Sequence, residues 1–426
     1  MLISLAKEKF IMAKKKIRMG VVGLGARGFF AGEMYPGMIH ILAVFDDVEL
    51  VWACDEYQDR VDTAVAYMKE HNNIEMKGTT DYMDIVNDPT IDAVAIFCAW
   101  EMHVPIAVAA MKAGKAVALE VGGAYSVEDC WRLVRTQEET GAYFMMLENC
   151  CYGREELFTL DMVKKGIFGD IVHCTGGYLH DLRGEISEGE EKRHYRLRNY
   201  LSRNCDNYPT HQLGPICKVL DVNRGNRMVS LVSMASKSMG LNEYNKTLHG
   251  EDHKLAKAQF KQGDIVTTII KCAGGQTITL TLDTSLPRPN YSRDYSVRGT
   301  KGAFVESTKS VVFDSSPDYP DGIKHTTGNS KELIEKYKHP IWKEYDDSGN
   351  TAGHGGMDWH VLRAFVEGYL EGHEPPIDVY DAAAWMCISA LTETSIAQGG
   401  HPVEIPDFTG GKWVKVKEKP EWKYSI

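Results

Sequence analysis

The chain has 426 residues, of which 43% are hydrophobic and 25% charged, and its formal net charge is −11. A chain of this length and apolar content can bury the cores of two domains. The acidic balance argues against a nucleic-acid partner, because proteins that bind the phosphate backbone usually present a basic face to it.

The ten cysteines show no CxxC pair and no regular spacing. This pattern indicates neither a disulfide framework nor a zinc site, so we expect no metal and a reducing compartment. The first apolar run is too short for a signal peptide, and no window approaches a membrane-spanning length. We therefore predict a cytoplasmic protein without membrane contact. Met12 is an alternative start, which leaves open whether residues 1–11 belong to the native chain.

Strand and helix patterns alternate through the first third of the chain. Five apolar runs read as buried strands: "IRMGVVG", "VELVWACD", "DAVAIFCA", "KAVALEV" and "YFMMLEN". Between the last two, Ser126 is a predicted helix N-cap and Gly141 a predicted helix end. This alternation predicts an α/β domain over residues 12–150, a doubly wound parallel sheet of the Rossmann type.

The pattern changes over residues 151–426, which we assign to a second, α+β domain. A helix is predicted at about 153–165 and another around 362–369, from apolar residues at helical spacing. Four long runs predict strands of a large, mostly antiparallel open sheet: "DIVHCTGGYLH", "MVSLVSMASKS", "DIVTTIIKC" and "QTITLTLDT". Residues 181–207 and 314–356 are polar and read as irregular loops.

The first strand runs into a glycine-rich turn. Gly23, Gly25 and Gly28 have the GxGxxG spacing between a strand and a helix, as dinucleotide-binding turns require. Asp55 ends the second strand, where a carboxylate accepts from the adenosine ribose and disfavours a 2′-phosphate. The pattern thus predicts NAD, although Arg60 nearby leaves NADP open. A helix cap is the alternative role for Asp55.

Polar residues also end the next two strands. Trp100, Glu101 and His103 follow one of them, and Glu120 follows the other. Because ligands of open α/β sheets bind at the carboxyl ends of the strands, we predict the nicotinamide side of the pocket here. The alternative is that these are only polar strand ends.

A second group of residues has the chemistry to take a proton. The run "NCDNYPTHQLGP" places His211 near the start of a predicted helix, where the helix dipole favours a neutral imidazole that accepts a proton. A structural capping role is the alternative for an isolated histidine. Further polar and aromatic residues lie in segments that can close on a polyol: Tyr178, His180, Arg196 and Tyr291.

Several of these motifs together resemble glycoside hydrolase family 109, the NAD-dependent glycosidases within the glucose-fructose oxidoreductase and inositol dehydrogenase (Gfo/Idh/MocA) superfamily. The resemblance covers most of residues 17–305, with weaker support from "GHGGMDWH" at 353–360. The segments that carry it are "GLGARG", "AWEMHVPIAVAAMKAGKAVALEVGGA", "MMLENCCYGREELFTLDMVKKGIFGDIVH", "YLHDL", "YPTHQLGPICKVLDVNRGNRM" and "PRPNYSRDYSVRGTKG".

The resemblance implies a redox-neutral hydrolysis. In this family, NAD oxidises carbon 3 of the sugar, the ketone acidifies the hydrogen at carbon 2, the aglycone is eliminated, water adds, and the hydride returns. His211 is then the base at the carbon-3 hydroxyl. Tyr178 is the proton-transfer group near carbon 2, with sugar stacking as its alternative role.

The remaining site residues follow from the same resemblance. The substrate would contact Arg196, Tyr208, Pro209, Thr210 and Tyr291. The NAD pocket would comprise Gly23, Gly25, Arg27, Gly28, Asp55, Trp100, Glu101, Met102, His103, Glu120, Val121 and Asn149.

Alternatives to the glycosidase remain at this point. Dehydrogenases of the superfamily commonly carry Glu-Lys-Pro where this chain has Glu120-Val121-Gly122, so the missing lysine disfavours a sugar or polyol dehydrogenase. A non-catalytic NAD-sensing protein is the third possibility. An N-acetylgalactosaminide is the expected substrate, with the aglycone and the anomeric preference open. The resemblance also predicts a homo-oligomer, with the number of copies open. The threonine-rich sheet face at 277–281 is the candidate surface for pairing, and exposure of that face to solvent is the alternative.

Overall fold

The protein is described by a computed structural model that covers residues 16–29, 37–350, 352–416 and 421–426. Within these residues, the chain forms two β-sheets. The predicted Met12 start, and part of the long connection between Gly23 and Asp55, lie outside the described residues.

The first sheet is parallel and has six strands in the order β3-β2-β1-β4-β5-β6. The strands are β1 (Ile17–Val22), β2 (Val48–Cys54), β3 (Lys77–Thr79), β4 (Ala93–Ile96), β5 (Ala116–Leu119) and β6 (Phe144–Met146). Strands β4, β5 and β6 are fully buried, as expected for a sheet covered on both faces. The sequence missed β3, because its three residues "KGT" have no apolar member.

Among the described residues of this domain, five helices cover the sheet: α1 (Met38–Ala43), α2 (Gln58–Asn72), α3 (Tyr82–Asn87), α4 (Trp100–Lys112) and α5 (Val127–Thr140). The predicted ends of α5 are confirmed. The Ser126 hydroxyl accepts from the Asp129 N–H at 3.1 Å, and Gly141 closes the helix in the left-handed conformation, with φ 65°. The predicted doubly wound α/β domain is therefore present.

The second sheet has eight strands in the order β13-β12-β11-β7-β10-β9-β8-β14. It is antiparallel except for the pair of β7 and β10. Its strands are β7 (Ile171–Leu179), β8 (Met228–Ala235), β9 (Ile265–Cys272), β10 (Thr277–Asp283), β11 (Ser296–Gly299), β12 (Gly302–Val305), β13 (Ser310–Phe313) and β14 (Val403–Glu404). The prediction of a large, mostly antiparallel sheet is confirmed.

In the part of the second domain that the structure describes, nine α-helices accompany the sheet: α6 (Arg154–Lys164), α7 (Arg183–Ser187), α8 (Arg196–Ser202), α9 (Thr210–Val219), α10 (Gly240–His249), α11 (Ser330–Lys336), α12 (Pro340–Ser348), α13 (Met357–Glu371) and α14 (Val379–Ala397). The prediction of irregular loops at 181–207 and 314–356 was wrong, since these stretches contain α7, α8, α11 and α12. Those helices span five to nine residues, too short for an amphipathic repeat to stand out from charged surroundings.

Helix α9 packs on one face of the second sheet, where a Cβ at Gly176 would lie 2.1 Å from the Gln212 side chain. The other face is open and exposes Met234 and Ile269. The C-terminal helices return to the first domain, and the Ala124 N–H donates to the Met386 carbonyl of α14 at 3.0 Å. Within the described ranges, no helix is long and apolar enough to cross a membrane.

Candidate functional site

The glycine turn after β1 has the geometry that its spacing predicts. Gly23 has φ 99°, and a Cβ there would lie 2.4 Å from the Cys98 backbone nitrogen. A Cβ on Gly28 would lie 1.8 Å from the Gly23 carbonyl oxygen, so both positions require glycine for packing. At Gly25 the nearest atom is 3.5 Å away, on the Arg60 side chain. Gly25 thus leaves the space through which a pyrophosphate reaches the backbone, and the turn fits NAD.

Asp55 joins this turn to the second strand. Its carboxylate accepts from the Leu24 N–H at 2.7 Å and from the Tyr57 N–H at 3.1 Å. Asp55 therefore fixes the backbone of the glycine turn and of the residues that lead into α2. Its bond to the N–H of Tyr57, the residue before α2, is close to the helix-capping role that the sequence leaves as the alternative. A carboxylate oxygen has two lone pairs, so these bonds leave acceptor capacity for a ribose hydroxyl.

Arg27, in the glycine turn, lies in a buried ionic network. Its Nε donates to Glu120 at 2.8 Å, and its two terminal nitrogens donate to Asp358 at 2.8 and 2.9 Å. Asn149 also donates to Asp358, at 2.7 Å. The structure thus brings together three predicted cofactor residues, Arg27, Glu120 and Asn149. Arg27 and Asn149 both donate to the carboxylate of Asp358, which was not predicted from the sequence.

Burial and charge shift the pKa values of the two acids in this network, Glu120 and Asp358, in opposite directions. Burial alone would raise the pKa of Asp358, but the Arg27 charge and a hydrogen bond from His354 hold that pKa far below its usual range. Burial raises the pKa of Glu120 more than the Arg27 charge lowers it. The only sequence signal for Asp358 was its place in "GHGGMDWH", in the first turn of α13.

Trp100 begins α4 and forms one wall of the cleft between the domains. Its ring lies 4.6 Å from the ring of Tyr195 and 5.6 Å from that of Tyr208, between centroids. Both tyrosines belong to the second domain, and Tyr208 is one of the predicted substrate residues. The predicted nicotinamide side of the pocket therefore lies beside the predicted sugar site. Met102, one turn on, is 37% exposed. Val121 is buried, and its N–H donates to the Glu120 carboxylate at 3.0 Å.

His103 and Glu101, both predicted cofactor residues, have protein partners. His103 is buried with its Nε2 3.0 Å from the Cys98 carbonyl, and burial lowers its pKa to about 4. The imidazole is therefore neutral near neutral pH, with Nε2 donating. Glu101 accepts from the Arg198 Nε at 2.6 Å. These contacts fix the first turn of α4 at the edge of the cleft.

His211 is the second residue of α9, as its sequence pattern predicts, and it pairs with a fully buried carboxylate. Its Nδ1 lies 2.8 Å from Glu148, and its Nε2 lies 3.3 Å from the Tyr208 hydroxyl. An ionised carboxylate can only accept, so Nδ1 carries the proton and Nε2 keeps its lone pair toward the tyrosine. This is the arrangement of an oriented general base.

Glu148 was not predicted as a site residue from the sequence. Burial alone would raise its pKa, but the electrostatic attraction of the His211 ring, the hydrogen bond from that ring and the hydrogen bond from the Cys150 N–H lower that pKa below its usual value. Glu148 follows β6, at the same edge of the sheet as Glu120. Its position after a buried strand, in "MMLENCC", was the available signal.

Tyr178, in β7, is the centre of an aromatic cluster. Its ring centroid lies 4.5 Å from Tyr208, 5.6 Å from His211 and 6.1 Å from Tyr291. The hydroxyl is 3.1 Å from His180 Nδ1. Burial raises the pKa of Tyr178, and the Arg196 charge offsets this only in part. The phenol therefore stays protonated unless a partner takes its proton.

Arg196 begins α8 and lies against the same aromatic rings. Its guanidinium carbon lies 5.0 Å from the Tyr208 ring centre and 5.2 Å from that of Trp100. Its Nε is 2.6 Å from Glu185, while its buried Nη1 has no hydrogen-bond partner among the described residues. An unpaired buried donor costs free energy, which a ligand oxygen would recover.

The remaining predicted substrate residues border this cluster. Pro209 and Thr210 start α9, with the Thr210 side chain fully buried, and Tyr291 is 42% exposed at the rim. One group of side chains has metal-ligand chemistry, since donor atoms of Glu148, Cys150 and His211 lie within 4.8 Å of one another. Burial raises the pKa of the Cys150 thiol, which opposes the thiolate that a metal would need.

Two family models match the chain in succession. One, described as an oxidoreductase family with an NAD-binding Rossmann fold, covers residues 17–148. The other, described as the C-terminal domain of glycosyl hydrolase 109, covers residues 152–415.

Curated relatives and solved structures agree with these models. An alpha-N-acetylgalactosaminidase of Tannerella forsythia is 38% identical over 421 residues, covering 93% of this chain and 87% of the relative. A glycosyl hydrolase family 109 protein of Parabacteroides distasonis is 37% identical over 423 residues, covering 94% and 88%. In fold, the chain is similar to levoglucosan dehydrogenase in complex with NADH and L-sorbose, with a TM-score of 0.68 at 19% identity, covering 93% and 100%.

Proposed function

The chain belongs to glycoside hydrolase family 109, and on this basis we propose that it hydrolyses a hexoside, an N-acetylgalactosaminide, in a redox-neutral cycle that uses NAD. The observation that carries the proposal is the His211–Glu148 pair, an oriented base facing the cleft beside the Rossmann domain. The N-acetylgalactosaminide is supported by the name of the Tannerella relative.

The residues present fit NAD. The open space at Gly25 admits the pyrophosphate, Asp55 keeps acceptor capacity for the ribose, and Trp100 and Met102 border the nicotinamide side. When bound, NAD supplies a hydride acceptor for the sugar carbon and returns the hydride to the same sugar. All other steps are proton transfers and binding contacts that side chains of this chain provide.

His211 removes the proton of the carbon-3 hydroxyl as that carbon is oxidised. Nε2 takes the proton, and the Glu148 carboxylate at Nδ1 stabilises the imidazolium that forms. A positioned base of this kind is typically worth about 10² to 10⁴ in rate. When the hydride returns, His211 gives the proton back to the oxygen at carbon 3.

Tyr178 acts at carbon 2, whose hydrogen the neighbouring ketone acidifies. Because burial raises the pKa of Tyr178, a free phenolate is unfavourable. The phenol passes its own proton toward His180 Nδ1, 3.1 Å away, as it accepts the carbon-bound proton. The aglycone oxyanion leaves carbon 1 and takes a proton from solvent. Water then bonds through its oxygen to carbon 1 of the enone and releases a proton to solvent, while Tyr178 returns a proton to carbon 2.

Arg196 and the aromatic rings hold the sugar. The rings of Trp100, Tyr208 and Tyr178 offer apolar faces to the C–H groups of a pyranose. The unpaired Nη1 of Arg196 offers a donor to a hydroxyl or acetamido oxygen. This set fits a neutral sugar and needs no pair of carboxylates flanking the glycosidic bond.

A single assay separates this proposal from a sugar dehydrogenase and from a non-catalytic NAD-binding protein. Purified protein is incubated in deuterated water with aryl N-acetylgalactosaminides of both anomeric configurations, and NADH absorbance is followed. Aglycone release with deuterium at carbon 2 and no net NADH supports the glycosidase. Sustained NADH formation without aglycone release would identify a dehydrogenase, and inactivity on a broad panel of aryl glycosides would favour a binding protein.

A further inference from the structure

Residues 192–199, which we name the clasp, leave the second domain and lie against the first. They belong to the charged stretch "EGEEKRHYRLRN", which follows α7 and runs into α8. None of the site roles assigned above, apart from that of Arg196, uses this segment. Its contacts fall into two groups at separate points of the Rossmann domain.

The first group lies at the start of α2. The Arg193 guanidinium donates to both carboxylate oxygens of Asp59, at 2.9 and 2.7 Å. Arg60 in turn donates to the Lys192 carbonyl at 2.9 Å. The two guanidinium groups lie 4.2 Å and 4.8 Å from the centre of the Tyr57 ring. Charge pairing and ring contacts thus hold the first end of the clasp.

The second group lies at the start of α4. The Tyr195 ring contacts Trp100, with centroids 4.6 Å apart, and Arg198 donates to Glu101 at 2.6 Å. The Tyr125 hydroxyl donates to Asn199 at 2.6 Å. These contacts fix the second end of the clasp beside the predicted nicotinamide pocket.

The sheet order relates these two ends to the cofactor. Helix α2 follows β2 and α4 follows β4, and these strands flank β1, from which the glycine turn extends. A dinucleotide bound across this edge has its pyrophosphate at the turn after β1, its adenosine toward β2 and its nicotinamide toward β4. The clasp is anchored on both sides of that turn and so would cross a dinucleotide bound there.

We propose that the clasp slows the release of NAD between successive turnovers, and that Arg193 holds the clasp against the first domain through its ion pair with Asp59. The inference rests on the proposed use of NAD. A cycle that returns a hydride to the same sugar fails if the reduced cofactor leaves midway, so a structure that slows cofactor release serves this chemistry. Because both side chains of the Arg193–Asp59 pair are exposed, salt screens their attraction, and NAD release accelerates with ionic strength.

The test measures NAD release from the purified holoprotein, as cofactor remaining after timed dialysis at low and at high salt. Arg193→Ala should release NAD about three- to fivefold faster at low salt, the scale of one exposed ion pair, and should be less sensitive to added salt. Arg183→Ala is the matched control, because Arg183 makes a similar two-point contact with Asp181 within the second domain. The charge exchange Arg193→Asp with Asp59→Arg should restore slow release.

Equal release rates in Arg193→Ala and wild type, with unchanged thermal unfolding, would overturn the clasp, as would an equal acceleration by Arg183→Ala. Failure of the proposed function gives a different pattern. In that case Arg193→Ala still accelerates NAD release, but the holoprotein shows no aglycone release. Protein that retains no NAD under any condition would contradict both proposals.

Discussion

The imidazole of His211 and the carboxylate of Glu148 are joined by a 2.8 Å hydrogen bond in which the acid is fully buried. The residues are 63 positions apart, one following a strand of the first domain and the other starting a helix of the second. The base is therefore completed only where the two domains meet.

Glu148→Gln tests this pair directly. A glutamine keeps the shape but no longer stabilises an imidazolium, so kcat on an aryl N-acetylgalactosaminide should fall about 10²- to 10⁴-fold. His211→Ala should abolish turnover. NAD content of both purified variants should match wild type, since neither residue contacts the glycine turn. A kcat for Glu148→Gln near that of wild type, or loss of NAD from His211→Ala, would refute the assigned roles.

Tyr178→Phe separates proton transfer from sugar stacking, because phenylalanine keeps the ring and removes only the hydroxyl. We expect kcat to fall about 10²-fold, together with loss of deuterium incorporation at carbon 2 in deuterated water. Mass spectrometry of the released sugar measures the incorporation. Near-normal activity in this variant would assign Tyr178 to stacking alone.

His103 should make stability depend on pH in a defined window. Burial lowers its pKa from 6.5 to about 4, so between these values the unfolded chain binds a proton that the folded protein does not. Stability is then full above pH 6.5 and falls as the pH drops toward 4, by about 1.4 kcal/mol per unit and about 3 kcal/mol in total.

Urea unfolding of wild type and His103→Gln across that range measures the effect. Glutamine can still donate to the Cys98 carbonyl but does not titrate, so the pH slope of the variant should be smaller by about one proton. Equal slopes in the two proteins would show that His103 does not carry the dependence.

Asp358→Asn should destabilise the protein by leaving Arg27 partly unpaired. Removing one partner of a buried pair costs about 3 to 5 kcal/mol. We expect about 2 to 3, since the Arg27 side chain is 25% exposed and keeps Glu120. The control is Asp346→Asn, which breaks the partly exposed pair with Arg154 and should cost about 1 kcal/mol or less. Urea midpoints that do not separate the two variants would contradict the network's importance.

The predicted homo-oligomer should depend on the open face of the second sheet. Ile269 lies on that face in β9 and is 48% exposed. Ile269→Asp should shift the mass measured by light scattering after gel filtration toward the monomer, because a charge there would be buried between copies. Leu248→Asp, on α10, is the control at 56% exposure. A monomeric wild type, or an oligomer unaffected by Ile269→Asp, would rule this face out.

Local sequence was sufficient for the features that depend on a few neighbouring residues. The spacing of Gly23, Gly25 and Gly28 after a buried strand determines the turn, because two of these positions admit no side chain. Ser126 and Gly141 bound a helix through their own capping bonds. The alternation of threonines with apolar residues in β10 predicts that one face of the strand is covered, and Ile278, Leu280 and Leu282 on that face are buried. Each of these features can be predicted from a short run of neighbouring residues, although the close approach that excludes a side chain at Gly23 comes from the Cys98 backbone.

The tertiary structure decided which side chains meet. Arg27 and Asp358 are 331 residues apart and His211 and Glu148 are 63 apart, and no periodicity in a sequence encodes such pairs. The contact between Arg193 and Asp59 is a further example, because the two residues are 134 positions apart. Arg193 lies in a charged stretch whose sequence predicts a solvated loop, whereas Asp59 lies in the first turn of α2. Local patterns determine the elements, whereas the packing of two domains places their charges within bonding distance.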